Sequence, residues 1–279
     1  MAIPVDQYAV MGNPVAHSKS PRIHTLFASA VQHRLRYDAQ LVPEDSFTAA
    51  VNNFFDQGGH LGVSITVPFK EEAWKLCTAR TSRAEKAGAV NTLWQDEHGR
   101  LNGDNTDGLG LVRDLTVNND VELKDARILV LGAGGAVRGV LEPILSEQPA
   151  ELVIANRTVS KAETLAELFP GAPVSACGFA DIQGRFDLII NGTSASLHGE
   201  LPPLPDSIVD SGTCCYDMMY AEAVTVFNLW GLDHGARKTI DGLGMLVEQA
   251  AEQFAIWRDV RPDTQPVLEL LRTEMSQKP

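Results

Sequence analysis

The sequence has few cysteines, no excess of basic charge and no long apolar run. Its four cysteines, Cys77, Cys177, Cys214 and Cys215, show none of the C-x-x-C or Cys/His spacings that bind zinc or form a redox pair. We therefore expect buried free thiols and no metal site. No segment approaches the roughly 20 apolar residues of a membrane-spanning helix, and no N-terminal signal-peptide pattern is visible. These features predict a cytoplasmic protein.

Acidic residues outnumber basic ones in this chain of 279 residues. Lys and Arg total 23 and Asp and Glu total 36, which gives a formal net charge of −13. A field of this sign repels nucleic acid and anionic membrane surfaces, so we expect neither as a partner. An anionic small molecule must then be held by local donors. The composition, 44% hydrophobic and 21% charged, is that of a globular protein with a large core.

The second half of the chain alternates strands and helices. From about residue 123 to 240, five short apolar runs are separated by helical segments, which is typical of a doubly wound parallel sheet of the Rossmann type. The predicted strands cover residues 127–131, 151–155, 186–190, 214–217 and 238–240.

The first half indicates a separate α/β domain. Strands are predicted near residues 8–11, 37–42, 61–67 and 89–94, with a hairpin around His98 and Gly99 and helices starting near Pro21, Pro43 and Glu71. Two further helices, near residues 245–257 and 265–275, are expected to return to this first domain. We expect domains over residues 1–110 and 111–240, followed by C-terminal helices over 241–279.

A glycine turn follows the first strand of the second domain, in the run R-I-L-V-L-G-A-G-G-A-V-R at 127–138. Gly132 permits a tight turn, and Gly134 and Gly135 let backbone N–H groups at a helix N-terminus approach a pyrophosphate. Val137 stands where the usual fingerprint has Gly or Ala, which predicts looser helix packing. Alone, the motif is also compatible with an ordinary strand-to-helix turn.

The next strand ends in Asn156, Arg157 and Thr158, where an NAD-binding protein carries an acid for the ribose hydroxyl. An arginine without that acid favours a 2′-phosphate and therefore NADP, although a solvated loop arginine is the alternative. Ser160 and Glu163 form an S-x-x-E pattern, which predicts a capping box for the following helix.

Polar residues also follow strands in the first domain. Ser18 and Ser20 precede Pro21, so Ser20 is a candidate N-cap and the hydroxyl pair is a candidate carboxylate receptor. Lys70 follows the strand that ends in T-V-P-F-K, and Asp107 lies in G-D-N-T-D-G. We expect these two to form a catalytic pair, while a lone lysine is more often a solvated charge.

Eight segments together resemble the shikimate and quinate dehydrogenase family, in order along almost the whole chain. They are G-N-P-V-A-H-S-K-S-P, T-V-P-F-K-E-E, A-G-A-V-N-T, G-D-N-T-D-G, G-A-G-G-A, N-R-T-V-S, Y-D-M-M-Y and D-G-L-G-M-L-V-E-Q-A-A. The resemblance implies an NADP-dependent oxidoreductase that reduces 3-dehydroshikimate to shikimate in the shikimate pathway of aromatic amino acid biosynthesis.

The resemblance also implies roles for individual residues. The residues expected to bind the substrate are Ser18, Ser20, Thr66, Lys70, Asn91, Asp107, Tyr220 and Gln249, with Lys70 and Asp107 at the reacting carbon. The residues expected to bind NADP are Gly132, Ala133, Gly134, Gly135, Ala136, Asn156, Arg157, Thr158, Thr193, Met218, Gly242 and Met245. Lys70 is the expected proton donor, although the residue types alone leave a share for Asp107 or water.

Three positions depart from the family pattern. Ser64 replaces an asparagine before Thr66, Ser82 stands where relatives often carry an acid, and Gly192 replaces an alanine. The intact Lys70 and Asp107 argue against a non-catalytic NADP-binding regulator. The N-R-T loop argues against a broader quinate enzyme that uses NAD. Both remain alternatives, and the protein is expected to be a monomer or a homodimer.

Overall fold

We describe a computed structural model over residues 5–193, 195 and 199–277. The chain forms two compact units. The first takes in the chain up to Gly110 together with Val247–Leu271, and the second comprises Leu111–Leu246 and the residues from Arg272 onward. No helix of the described residues is long and apolar enough to cross a membrane.

The first unit contains a six-stranded mixed sheet in the order β2-β1-β3-β5-β6-β4. Its strands are β1 (Asp6–Gly12), β2 (Leu35–Leu41), β3 (His60–Ile65), β4 (Ala79–Arg80), β5 (Thr92–Gln95) and β6 (Leu101–Asp104). β1 runs parallel to β2 and β3, while β5 is antiparallel to both β3 and β6. The predicted strands and the hairpin between β5 and β6 are confirmed.

Helices pack on this sheet through apolar faces. They are α1 (Ser20–Ala30), α2 (Phe47–Phe55), α3 (Lys70–Leu76), α4 (Ser82–Ala87) and the start of α5 (Asp107–Arg113). Phe47, Val51 and Phe54 of α2 are buried in one cluster with Phe69 and Leu93. The burial of these large side chains holds the N-terminus of α3 against the sheet.

The second unit contains six parallel strands in the order β12-β11-β10-β7-β8-β9. They are β7 (Arg127–Leu131), β8 (Glu151–Ala155), β9 (Val174–Cys177), β10 (Leu188–Asn191), β11 (Cys214–Asp217) and β12 (Lys238–Asp241). Its helices are α6 (Gly135–Ser146), α7 (Val159–Ala166) and α8 (Val226–Asp233). The predicted doubly wound parallel sheet is confirmed, with β9 as an additional edge strand.

Each face of this sheet has its own core. Ile128 and Val130 of β7 belong to one buried cluster, whereas Leu129 and Leu131 belong to another. This alternation explains why β7 reads as a continuous apolar run. The last two helices are α9 (Leu243–Arg258), which begins in the second unit and continues into the first, and α10 (Gln265–Ser276).

Two expected helix caps are wrong. α1 begins at Ser20 itself and its N-cap residue is Lys19, whose backbone already has helical angles (φ −84°, ψ −7°). α7 begins at Val159 with Thr158 as its N-cap residue, which places Ser160 inside the first helical turn. In both cases the helix starts earlier than the pattern of capping residues predicted.

Candidate active site

Lys70 and Asp107 form an ion pair in the first unit. Lys70 is the first residue of α3 and Asp107 the first residue of α5, and Lys70 Nζ lies 2.5 Å from Asp107 Oδ2. The side chains are 30% and 15% exposed, respectively, so the pair is sheltered but reachable by a small molecule. One of the three ammonium protons is donated to Asp107, which leaves two for another acceptor.

Asn91 completes this group from the loop before β5. Its Nδ2 donates to Asp107 Oδ1 at 2.8 Å and lies 3.4 Å from Gln249 Oε1. Its Oδ1 accepts from the backbone N–H of Thr106 at 3.0 Å. The Thr106 hydroxyl in turn donates to the backbone oxygen of Gln249 at 3.1 Å, which links α9 to the loop between β6 and α5. The structure thus brings together four of the predicted substrate residues.

The two serines before α1 have different partners. Ser18 Oγ accepts from the backbone N–H of Ser20, the first residue of α1, at 3.2 Å, so Ser18 satisfies an N–H group at the start of the helix although Lys19 is the N-cap residue. Ser20 is buried, and its side chain is hydrogen-bonded to the hydroxyl of Tyr37. Ser18 is the more exposed of the two and is better placed to meet a ligand.

A buried chain of hydrogen bonds leads from Tyr37 to Asn91. The Tyr37 hydroxyl donates to Ser64 Oγ at 2.5 Å, and Ser64 donates to Gln253 Oε1 at 2.6 Å. Gln253 Nε2 donates to the backbone oxygen of Asn91 at 3.1 Å. Burial raises the pKa of Tyr37 far above its usual range, so the hydroxyl stays protonated. The loop serines and the Lys70 group are therefore parts of one network.

Sequence reasoning missed Tyr37 and Gln253. Gln253 lies one helical turn after Gln249, and this spacing was a usable signal because residues four apart share a helix face. Tyr37 gave no such signal, since a tyrosine in a strand is ordinarily a packing residue. The hydroxyl of Ser64, which departs from the family pattern, accepts a hydrogen bond from Tyr37 and donates one to Gln253.

Two further predicted substrate residues lie at different places. Thr66 follows β3 and is half-buried, with its methyl group so close to Gly12 that a Cβ there would overlap it. Tyr220 lies in the second unit, after β11, and its pKa is raised by burial and by the nearby charge of Asp241. Each remains a predicted substrate contact.

The glycine turn of the second unit opens onto a cavity of about 570 Å³. The predicted cofactor residues that line it are Gly132, Ala133, Gly134, Gly135, Ala136, Asn156, Arg157 and Thr193. Thr158 is not among the described residues that line the cavity. It is the N-cap residue of α7, and its backbone oxygen accepts from Asn156 Nδ2 at 2.9 Å.

The shape of this turn fits a dinucleotide pyrophosphate. Gly132 has φ +103°, a left-handed conformation that favours glycine, and a Cβ there would lie 3.1 Å from the backbone oxygen of Gly192. Gly134 is the N-cap residue of α6, and the space beside Gly134 and Gly135 is open. Backbone N–H groups at the start of a twelve-residue helix thus face room for an anion.

The two departures at Val137 and Gly192 compensate each other. Val137 is fully buried, and a Cβ on Gly192 would lie 2.5 Å from its Cγ2. Gly192 therefore leaves the room that the larger residue at 137 requires. Whether the helix packs less closely on the sheet because of Val137 stays a prediction.

The remaining predicted cofactor residues continue from the same cavity. Gly192, which lines it, faces the sulfur of Met218, and a Cβ on Gly242 would overlap the backbone oxygen of Met218. Met245, three residues further, lies in the first turn of α9. Met218 and Gly242 are thus linked through Gly192 to the cavity lining, and the assignment of Met218, Gly242 and Met245 to the nicotinamide stays a prediction.

Three family models match the chain in succession. The model described as "Shikimate dehydrogenase substrate binding domain" matches residues 10–93. "Shikimate / quinate 5-dehydrogenase" matches residues 115–198, and "Shikimate 5'-dehydrogenase C-terminal domain" matches residues 242–272. The matches cover both compact units.

Individual relatives agree with these matches. The shikimate dehydrogenase (NADP(+)) of Marinobacter nauticus is 58% identical over 273 residues, which cover 96% of this chain and 99% of the relative. The crystal structure of an Ael1 enzyme from Pseudomonas putida has a TM-score of 0.91 at 43% identity, with 95% and 98% of the two chains covered. Shikimate 5-dehydrogenase from Thermus thermophilus, solved with NADP(H) and shikimate, has a TM-score of 0.85 at 31% identity over 96% and 99%.

Proposed function

The chain belongs to the shikimate dehydrogenase family, and from this membership we propose how its residues carry out the reaction. The protein is an NADP-dependent oxidoreductase that reversibly reduces 3-dehydroshikimate to shikimate in the shikimate pathway. NADPH, when bound, supplies the hydride for the ring carbonyl. The observation that carries the residue assignment is the Lys70, Asp107 and Asn91 group, which offers an ammonium donor beside a fixed carboxylate.

Lys70 is the proposed proton donor. Its Nζ has two N–H groups beyond the one donated to Asp107, and these stabilise the alkoxide that develops on the carbonyl oxygen. Transfer of one proton breaks an N–H bond of Lys70 and forms the O–H bond of shikimate. Asp107 holds Lys70 in place and is itself held by Asn91, so that both carboxylate oxygens act as acceptors.

The substrate carboxylate is assigned to Ser18 and Ser20, and the ring hydroxyls to Thr66, Asn91 and Gln249. The support is the continuous hydrogen-bonded network that links Ser20 to Asn91. A network of this kind fixes the distance between an anion receptor and the reacting pair. Tyr220 is assigned to the substrate by family resemblance alone.

The cofactor residues divide by the part of NADP that they meet. Gly132–Ala136 and Thr193 take the pyrophosphate, and Arg157 with Asn156 takes the 2′-phosphate, because these residues line the one described cavity that the glycine turn opens. Thr158 supports the same loop through its backbone. Met218, Gly242 and Met245 take the nicotinamide.

We also propose that the protein works in the cytoplasm, as a monomer or a homodimer, on a small molecule. All four cysteines are free thiols, as expected in a reducing compartment.

One assay tests the proposed function. The purified protein is mixed with shikimate or quinate and with NADP or NAD, and the absorbance of the reduced nicotinamide is followed. We expect turnover with shikimate and NADP far above the other three pairs. Comparable rates with quinate and NAD would establish the broader quinate enzyme instead, and no turnover with any pair would establish a non-catalytic NADP-binding protein.

A further inference from the structure

A buried carboxylate in the second unit has no part in the chemistry described above. Asp114 is 1% exposed and begins a π-helical turn (Asp114–Asn118) directly after α5. Its Oδ1 accepts from the side-chain amides of Asn118 and Asn119 at 3.0 and 3.2 Å. π-helical turns are rare, and a charged group placed in one at the centre of a domain requires a reason.

The other oxygen of Asp114 is bound by a buried tyrosine. The hydroxyl of Tyr216, which is 0% exposed on β11, donates to Asp114 Oδ2 at 2.7 Å. The same hydroxyl accepts from the backbone N–H of Met245. Tyr216 therefore links a fixed carboxylate to the first turn of α9, through one hydroxyl that serves both as donor and as acceptor.

The backbone of this first turn lies directly against Asp114. A Cβ on Gly244 would overlap the Asp114 carboxylate, so only glycine permits the approach. Two residues earlier, Gly242 is equally close to the backbone of Met218. The turn from Gly242 to Met245 thus lies against Met218 at Gly242, against Asp114 at Gly244 and against Tyr216 at Met245.

We propose that Tyr216 and Asp114 are positioning residues for the nicotinamide. They act through the backbone of Met245, and they fix the turn that carries Gly242 and Met245 where the nicotinamide half of NADP binds. The inference rests on the proposed function, which assigns those residues to the nicotinamide. It adds two buried side chains that touch neither substrate nor cofactor.

A turn rich in glycine has many accessible conformations, and a ligand that needs one of them must meet the entropic cost of selecting it. The Tyr216 hydroxyl, placed between a carboxylate and a backbone N–H, selects that conformation before the cofactor arrives. Removal of the hydroxyl leaves two buried polar groups without this partner.

The test separates the nicotinamide end of the cofactor from its adenosine end. In Tyr216→Phe, the dissociation constant of NADPH is measured by nicotinamide fluorescence, and that of 2′,5′-ADP, which has no nicotinamide, by calorimetry. We expect NADPH to bind about tenfold more weakly, as for the loss of one hydrogen-bonding role. Binding of 2′,5′-ADP and KM for shikimate should be unchanged, and kcat should fall.

The matched control is a residue on β11 that does not contact Asp114 or Met245. Cys215 is the neighbour of Tyr216 on β11, and its side chain is buried in the cluster on the opposite face of the sheet. Cys215→Ala should lower the melting temperature and leave the ratio of the NADPH and 2′,5′-ADP dissociation constants at its wild-type value.

Gly244→Ala approaches the same contact from the helix side and keeps the proposal testable if Tyr216→Phe fails to fold. It should reproduce the selective loss of NADPH binding, and its effect should be less than additive with Tyr216→Phe. Equal weakening of NADPH and 2′,5′-ADP, or no change in either, would overturn the inference. Wild-type turnover, measured alongside, separates this failure from that of the proposed function, because a wild type without turnover overturns both.

Discussion

Among single residues, Lys70 has the most specific chemical assignment, because its ammonium is held by Asp107, which is in turn held by Asn91. Lys70→Ala should lower kcat by roughly two or more orders of magnitude, the range of general acid catalysis, with little change in KM for shikimate. Steady-state kinetics measure both. Lys75→Ala, exposed on the same helix, is the control and should behave like the wild type. A near-normal kcat with lost affinity would make Lys70 a binding residue.

We expect Arg157, another single residue, to determine the preferred cofactor. It lines the cavity of the glycine turn and can pair with a 2′-phosphate through two N–H groups. Arg157→Ala should weaken NADP roughly ten- to a hundredfold and leave NAD almost unchanged, and Asn156→Asp should begin to favour NAD. The measurement is KM for both cofactors. Arg237→Ala removes the same charge from the exposed residue before β12 and serves as the control. A loss for both cofactors in Arg157→Ala would contradict the assignment.

Charged site residues at strand ends could be predicted from the sequence, whereas the buried hydrogen bonds of Tyr37 and Gln253 could not. Lys70, Asp107 and Arg157 were predicted as site residues because a charged group after a buried strand is unusual and chemically useful. The sequence around Tyr37 and Gln253 does not distinguish them from ordinary core residues. Only three-dimensional contacts reveal that they link Ser64 to Asn91. Long-range hydrogen bonds have no local pattern in a sequence.

At the scale of elements, the loop before α1 combines a cap with a proposed anion receptor. Ser18→Ala should raise KM for shikimate by the equivalent of about 1.5 to 3 kcal/mol, as for a hydrogen bond to a charged group. It should also lower the melting temperature, because Ser18 accepts from the backbone of Ser20. Ser18→Thr keeps the hydroxyl and is the control. A lower melting temperature with unchanged KM would show that Ser18 is only a cap.

The contact between β10 and α6 provides a second prediction for elements. Gly192→Ala places a Cβ 2.5 Å from Val137 Cγ2 and should destabilise the second unit by about 1 to 3 kcal/mol. Val137→Ala in the same molecule removes that overlap, so the double variant should be more stable than Gly192→Ala alone. Thermal unfolding of all four proteins forms the cycle. Additive losses would mean that the two departures arose independently.

Strands could be predicted where burial on both faces produces a continuous run of apolar residues. β7, β8 and β11 were found because both faces of a parallel sheet are buried and the strands are continuous apolar runs. β9 was missed because Val174–Cys177 lies at the sheet edge and is only partly buried, so its four residues lack that pattern. The predicted starts of α1 and α7 were too late because capping patterns recur by chance within two residues of a true cap.

For the whole molecule, the chain passes between the two units inside helices. The boundaries fall within α5, α9 and α10, and α9 carries Met245 in one unit and Gln249 in the other. One helix therefore contributes a proposed nicotinamide residue and a proposed substrate residue. Helical geometry places Met245 and Gln249 about one turn apart along α9.

The stability of the molecule in acid should depend on His24. Its ring is fully buried, stacks on Tyr37 with ring centroids 4.4 Å apart, and contacts Phe27 and Phe254. Burial lowers the pKa of His24 to about 3, so the folded protein keeps it neutral. The unfolded chain protonates it below about pH 6.5 and therefore binds more protons, which means that stability is lost as the pH falls through this window.

His24→Phe tests this linkage without removing the aromatic packing. Between about pH 7 and about pH 5, the wild type should lose about 2 kcal/mol more unfolding free energy than the variant, because the other titrating groups are common to both. Urea unfolding at the two pH values gives the four free energies needed. Tyr37→Phe, which alters the stacked partner but no group that titrates in this window, should keep the wild-type pH dependence. Equal losses in the wild type and in His24→Phe would show that His24 is not the group that sensitises the protein to acid.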